Sequence, residues 1–324
     1  MSTAVETGAG AVAAPAPAPE KNKGKKRPPL RPARERAFWG FLTPALVLYT
    51  FIFVLPSFYG LWVSFTKWAG PGSEMTWRGL QNYVSLFRNE AFLRSLSNTF
   101  VMAIVSGVLV FGITFLTMMV LRGLKGRAFI QSVVFLPVIV SPIAVGAAVG
   151  FMLNPDGIVN QLLGALGIPP IGFLGPDMVF GCIIAGIVWS STGLYIALMI
   201  SAMDSIPDTL YEAADLAGAT LWQKFRLITL PLTWDVFAVA AVLWVVNSLK
   251  IFEIVIAFTT GGAAGAPPLQ ARTIAVQQYN AIVVSGSVPD LGSGAAMGII
   301  VTLLTVILIV LVRRITKRER VELS

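Results

Sequence analysis

Histidine is missing from this 324-residue chain, and cysteine occurs once, at Cys182. Without histidine there is no imidazole for acid–base chemistry near neutral pH, and the commonest metal ligand is gone. A lone cysteine inside an apolar run excludes an intramolecular disulfide and a cysteine-based metal site. Charge is scarce: 12% of residues carry it, against about 25% in soluble globular domains. No Gly-x-x-x-x-Gly-Lys-Ser/Thr stretch offers a nucleotide-phosphate cradle. No pair of acids suggests glycoside hydrolysis. The residues therefore predict no cofactor in this chain, no metal and no catalytic centre.

What is abundant is apolar surface. Hydrophobic residues make up 56% of the chain and the mean hydropathy is +0.77, the composition of a polytopic membrane protein. The formal net charge of +8 suits a basic membrane face better than a nucleic-acid partner. Six apolar runs are long enough to cross a bilayer: residues 38–65, 98–121, 128–153, 179–203, 235–258 and 295–312. The expected fold is all-α. Pro44 and Pro56 in the first run, and Pro137 and Pro142 in the third, each remove a helix hydrogen bond and predict kinks.

Residues 1–37 are Ala/Pro-rich, then Lys/Arg-rich, and bury too little apolar surface to order themselves. They read as a disordered basic tail and not as a secretory signal, because no short apolar segment with a cleavage site precedes the basic cluster. The membrane domain is expected over 38–315, with a short C-terminal tail over 316–324. Basic residues sort by side. Eight lie in the first tail, three after the second run, two after the fourth and five at the C-terminal end. The other side holds Lys67, Arg78, Arg88, Arg94 and Arg272. The positive-inside rule predicts both termini in the cytoplasm of a multi-pass cell-membrane protein.

The same rule sets one polar element, "EAADLAGATLWQKFRLITLPL" from Glu212 to Leu232, in a cytoplasmic loop. Upstream, Pro207 suits the first helical position, with Asp204 or Ser205 as cap. Gly218 suits the residue just past the helix end. At about 100° per residue, Asp208, Glu212 and Asp215 share one face, and Leu210, Ala213, Ala214 and Ala217 the opposite one. A helix lying on lipid would favour basic residues on its polar face. An acidic stripe argues instead for a basic protein partner.

The spacing Glu212-Ala213-Ala214, three residues, Gly218, nine residues, Ile228, one residue, Leu230-Pro231 resembles the EAA signature of ABC importer permeases. "KIFEIVIAFTTGG", Lys250 to Gly262, is similar to a segment of the carbohydrate-uptake branch. That branch often carries Asp-Gly where this chain has Ala217-Gly218, and Asp where it has Glu253. The resemblance covers residues 38–315 and implies a cytoplasmic coupling helix docked on an ABC ATPase dimer. The coupling residues would be Glu212, Ala213, Ala214, Asp215, Gly218, Ile228, Leu230 and Pro231. ATP would be bound by the partner ATPase, a second related permease chain would complete the pathway, and an extracellular solute-binding protein would deliver a sugar.

Polar residues within apolar runs mark solute routes. Asn247, Lys250 and Glu253 recur every third residue and would share one helix side. They either line the route, or Lys250 and Glu253 pair at the outer interface. Trp189, Ser190, Ser191, Thr192 and Tyr195 offer the aromatic faces and short hydroxyls that sugars bind, or they pack helices together. The long loop Thr259 to Gly294, with a short helix expected near Thr273 to Ile282, reads as a docking surface or a cap. The competing function is a stand-alone secondary transporter, which would need carboxylates deep in the membrane. Glu253, near one end of its run, is the only acid well inside one.

Overall fold

The structure is a computed structural model. It describes residues 32–122, 124, 126–260, 267–283 and 288–317, with side chains from 37 onward except at 260. Residues 1–31 of the tail expected over 1–37, Gly262 and residues 318–324 lie outside the described residues; residues 32–37, expected to belong to the disordered tail, instead begin a helix. The chain divides after Pro56 into two compact units.

The first unit is helical: α1 spans Pro32–Tyr49, a wider π-helical turn follows over Thr50–Val54, and α2 begins at Leu55. The Leu55 N–H bonds five residues back to the Thr50 carbonyl. Pro56, lacking an N–H, cannot continue the ordinary ladder, and the wider turn absorbs the loss.

The second unit starts within α2 (Leu55–Val63). A short antiparallel hairpin, β1 (Thr66–Lys67) and β2 (Thr76–Trp77), then leads to α3 (Gln81–Arg88). Buried Asn82 ties this corner together by donating to the Ser64 and Thr66 carbonyls, both at 2.8 Å. Next come α4 (Glu90–Leu121), α5 (Arg127–Ile139), α6 (Pro142–Met152), α7 (Ile158–Ala165) and α8 (Val179–Asp204). The loop helices are α9 (Asp208–Leu216), α10 (Leu221–Lys224) and α11 (Leu230–Leu232). The chain closes with α12 (Trp234–Ser248), α13 (Glu253–Thr260), α14 (Ile274–Val283) and α15 (Leu291–Thr316).

Four stretches are long and apolar enough to cross a membrane unbroken: Ala37–Val63, Glu90–Leu121, Val179–Asp204 and Leu291–Thr316. Two bent pairs raise the number to six if each is one span. The kink expected in the run 128–153 is a bend of 94° between α5 and α6. Val140 and Ser141 are extended there, with ψ of 139° and 134°. Pro142 disfavours a helical conformation in the residue before it.

The run 235–258 ends as a helix at Ser248, and α13 is a separate element. The Ile251 carbonyl in the gap accepts the Thr273 hydroxyl at 2.8 Å. α13 instead lies on a glycine face of α6. A Cβ at Gly146 would stand 2.7 Å from the Ile254 carbonyl oxygen, and one at Gly150 2.7 Å from that of Phe258. Two glycines one turn apart let the backbones approach to contact, as in small-xxx-small membrane packing. A hydropathy profile sees one apolar run; the structure divides it between α12 and α13.

Three buried clusters hold the second unit. One gathers Met102, Tyr195, Trp244, Val255 and Phe258. A second joins Met118, Met199, Met203 and Phe225, binding α4 and α8 to the α9–α11 loop. The third joins Leu86, Phe92, Ile274 and Met297 at the hairpin end.

Candidate functional site

Pro207 stands one residue before α9, not in its first turn, and Asp208 is the first helical residue. Gly218 lies just past the helix end with φ of +71°, a conformation that disfavours any side chain. Thr220 then opens α10 with a reciprocal capping box to Gln223. A second π-helical turn covers Phe225–Thr229, and the Leu230 N–H bonds back to the Phe225 carbonyl. Pro231 follows, so the loop repeats the device seen before Pro56. Ile228, Leu230 and Pro231 are half-buried in this turn, and Leu230 packs on the Met199 cluster.

The loop is fastened by Tyr211, which is 7% exposed. Its hydroxyl shares a hydrogen bond of 2.7 Å with the Thr229 Oγ1, joining the two limbs. The Arg122 guanidinium at the end of α4 lies over the Tyr211 ring, 3.1 Å from its centroid. Arg122 also donates to Asp208 at 2.8 Å. Arg127 forks onto both Asp204 oxygens at 2.8 and 3.1 Å, and Lys224 pairs with Asp215 at 2.5 Å.

These contacts correct the reading of the acidic stripe. Asp208 and Asp215 answer cations of their own chain, so the stripe does not by itself argue for a basic partner. Glu212 and Ala213 remain exposed, Ala214 is half-buried, and Glu212 enters none of the ion pairs among the described residues. What the loop turns outward in quantity is apolar: Leu216 is 91% exposed, with Leu221, Trp222 and Leu227 also exposed.

The expected route residues separate. Ser190, Ser191, Asn247, Lys250 and Glu253 line one cavity of about 360 Å³ with Pro142 and Phe252. Asn247, Lys250 and Glu253 do not share a helix side, since they straddle the break between α12 and α13. The break itself brings them to the cavity. Lys250 and Glu253 form no ion pair. Tyr195 is 1% exposed and does not line this cavity; its ring packs against Trp244 and Phe111 at 5.6 and 5.3 Å between centroids. The Asn247 side chain interacts with its hydroxyl. Trp189 points elsewhere, into an apolar cavity of about 610 Å³ lined by Ile113, Val133 and Ile184. Thr192 is buried and closes a hydrogen bond to the Val188 carbonyl.

A family model described as "Binding-protein-dependent transport system inner membrane component" matches residues 111–321. The chain belongs to this family. The permease is 36% identical to the probable ABC transporter permease protein YurN of Bacillus subtilis, over 68% of this chain and 78% of that one. It is 30% identical to the trehalose/maltose transport system permease protein MalF of Thermococcus litoralis, over 80% of this chain and 86% of that one. A crystal structure of a bacterial ABC transporter that imports the acidic polysaccharide alginate superposes with a TM-score of 0.75 at 25% identity. It covers 88% of this chain and 96% of its own. The same kind of transporter, crystallised with an alginate pentasaccharide-bound periplasmic protein, gives a TM-score of 0.73 at 26% identity, covering 89% of this chain and 98% of its own. The permease is thus a multi-pass membrane component of a transport system.

Sequence reasoning missed Arg122, Arg127, Tyr211 and Thr229. The two arginines entered it only as counts on a basic face, and their partners lie 86 and 77 residues away. Tyr211, adjacent to Glu212, carried a findable signal: one large aromatic in a short helix of small residues.

Proposed function

We propose that this permease forms one half of the translocation pathway of an ATP-driven, binding-protein-dependent carbohydrate importer. Both termini are cytoplasmic in this reading. The Glu212–Pro231 loop docks on a cytoplasmic ATPase dimer that binds the ATP, a second related permease completes the pathway, and an extracellular binding protein delivers the solute. The observation that carries it is the loop itself. It is fastened to the membrane helices through Arg122 and Tyr211, yet it turns Glu212, Leu216, Trp222 and Leu227 away from its own chain. An outward apolar patch of this kind marks a protein contact, and a rigid attachment lets a push at the patch reach the spans.

The cavity at the α12–α13 break supports a polar solute, because Ser191, Asn247, Lys250 and Glu253 offer donors and acceptors beside apolar walls. Carbohydrate is favoured by the trehalose/maltose and alginate systems to which the chain is similar. The test is co-expression with the candidate ATPase, partner permease and binding protein, followed by purification in mild detergent. An ATPase subunit that copurifies, and hydrolysis stimulated by sugar-loaded binding protein, are expected. Uptake by this chain alone, driven by an ion gradient and indifferent to ATP, would sink the reading.

A further inference from the structure

We propose that the groove between α12 and α15 at their Arg313 end is a binding site for one anionic phospholipid with a polyol headgroup. The groove encloses about 570 Å³. Its wall is apolar: Ala238, Val239, Val242 and Leu243 on α12, with Val239 60% and Leu243 40% exposed. From Asp235 to Leu243 this wall rises roughly 12 Å at 1.5 Å per residue. One leaflet supplies about 15 Å of a 30 Å hydrocarbon core, so the wall matches most of an acyl chain.

The mouth is charged. Arg313, in the last turn of α15, and Lys317, the residue just past its end, stand there with Asp235. None of the three joins an ion pair among the described residues. The floor is fixed by Trp234, whose indole N–H donates to the Thr316 carbonyl at 2.7 Å. Two cations and one anion leave a single positive charge, which one phosphodiester neutralises. Asp235 accepts a headgroup hydroxyl, which a glycerol headgroup has and a choline headgroup lacks. Basic pockets between helices at the cytoplasmic leaflet are suited to anionic lipid. The leaflet rests on the orientation proposed above. A cation that only complements the C-terminal end of α15 needs no groove, and Arg314, which does not line this one, serves as that control.

The probes are phosphatidylglycerol and phosphatidylcholine, titrated onto the delipidated, purified complex and counted by native mass spectrometry. One phosphatidylglycerol per chain should survive activation in the wild type, with phosphatidylcholine at least tenfold weaker. Arg313→Gln/Lys317→Gln should weaken phosphatidylglycerol at least tenfold, and Arg314→Gln should leave it unchanged. These residues are exposed, so folding is not at stake. Equal retention of the two lipids overturns the proposal, as does equal loss from Arg314→Gln. A photo-crosslinker at Val239 that captures the second permease and not lipid also overturns it. Labelling of Lys317→Cys by an impermeant reagent added outside would refute the orientation separately, whatever the lipid counts.

Discussion

The guanidinium of Arg122 lies over the Tyr211 ring, its carbon 3.1 Å from the ring centroid, while its outer nitrogen holds Asp208 at 2.8 Å. One side chain at the end of α4 thereby fixes both the aromatic anchor and the first residue of α9. Asp208 is 87% exposed, so the ion pair adds a few tenths of a kcal/mol at most. The ring contact, with the Arg122 side chain 21% exposed, contributes about 1 kcal/mol or somewhat more.

Arg122→Ala should therefore loosen the loop without unfolding the spans. Basal ATP hydrolysis by the assembled complex should persist, with solute-stimulated hydrolysis reduced several-fold. Arg122→Lys, which keeps the charge but not the planar guanidinium, should fall between. Full stimulation in both variants would show that the clamp plays no part in coupling.

Tyr211→Phe removes only the hydroxyl that meets Thr229 across the loop. A buried hydrogen bond of this kind is worth about 1 kcal/mol. A modest drop in the thermal midpoint of the purified complex is expected, and Tyr211→Ala should cost several times more. Equal midpoints for wild type and Tyr211→Phe would mean that the two limbs are held by packing alone.

Gly218 has φ of +71° and nothing of its own chain within 4 Å of a built Cβ. A side chain there meets backbone strain of roughly 1–2 kcal/mol and no internal clash. Gly218→Asn should be milder than Gly218→Val, because asparagine tolerates the left-handed region. If Gly218→Val abolishes uptake at normal membrane abundance while Gly218→Asn retains it, the conformation is what the partner reads. Full uptake by Gly218→Val and by Glu212→Lys would reduce the loop to a connector.

The two cavities make opposite forecasts. Asn247→Ala and Lys250→Ala change the walls beside Ser191 and should lower uptake at least tenfold with assembly intact. Trp189→Ala alters a separate apolar cavity and should leave uptake within about twofold. The reverse pattern in a transport assay would move the solute route to the Trp189 side.

Gly146→Val and Gly150→Val would each force a side chain into carbonyl oxygens of α13, at 2.7 Å from the built Cβ. Overpacking of this size costs about 1–3 kcal/mol. Lower thermal stability of the complex is expected for both. Gly112→Val, where a Cβ meets nothing within 4 Å, is the control and should be neutral.

The positions of the apolar segments were legible because hydropathy sums over residues and needs no direction. The loop was legible because its pattern is local: Glu212, Gly218 and Pro231 sit at fixed spacing within one connection. Even the short helix before the last span came out near its expected place, at Ile274–Val283. None of this required knowing what touches what.

Tertiary structure decided the rest, because each remaining point turns on a contact between distant parts of the chain. Asp208 and Asp215 looked like a free acidic face until Arg122 and Lys224 were found against them. Trp189 and Ser191, two residues apart on α8, face different cavities, and only the helices packed on either side define which cavity is which. The apolar run through Asn247 and Glu253 is divided between α12 and α13, and α13 packs on Gly146 and Gly150 of α6, a contact more than 100 residues away in the chain. Hydrophobicity fixes how much of a chain enters the bilayer; which way each side chain points there is set by the packing of its neighbours.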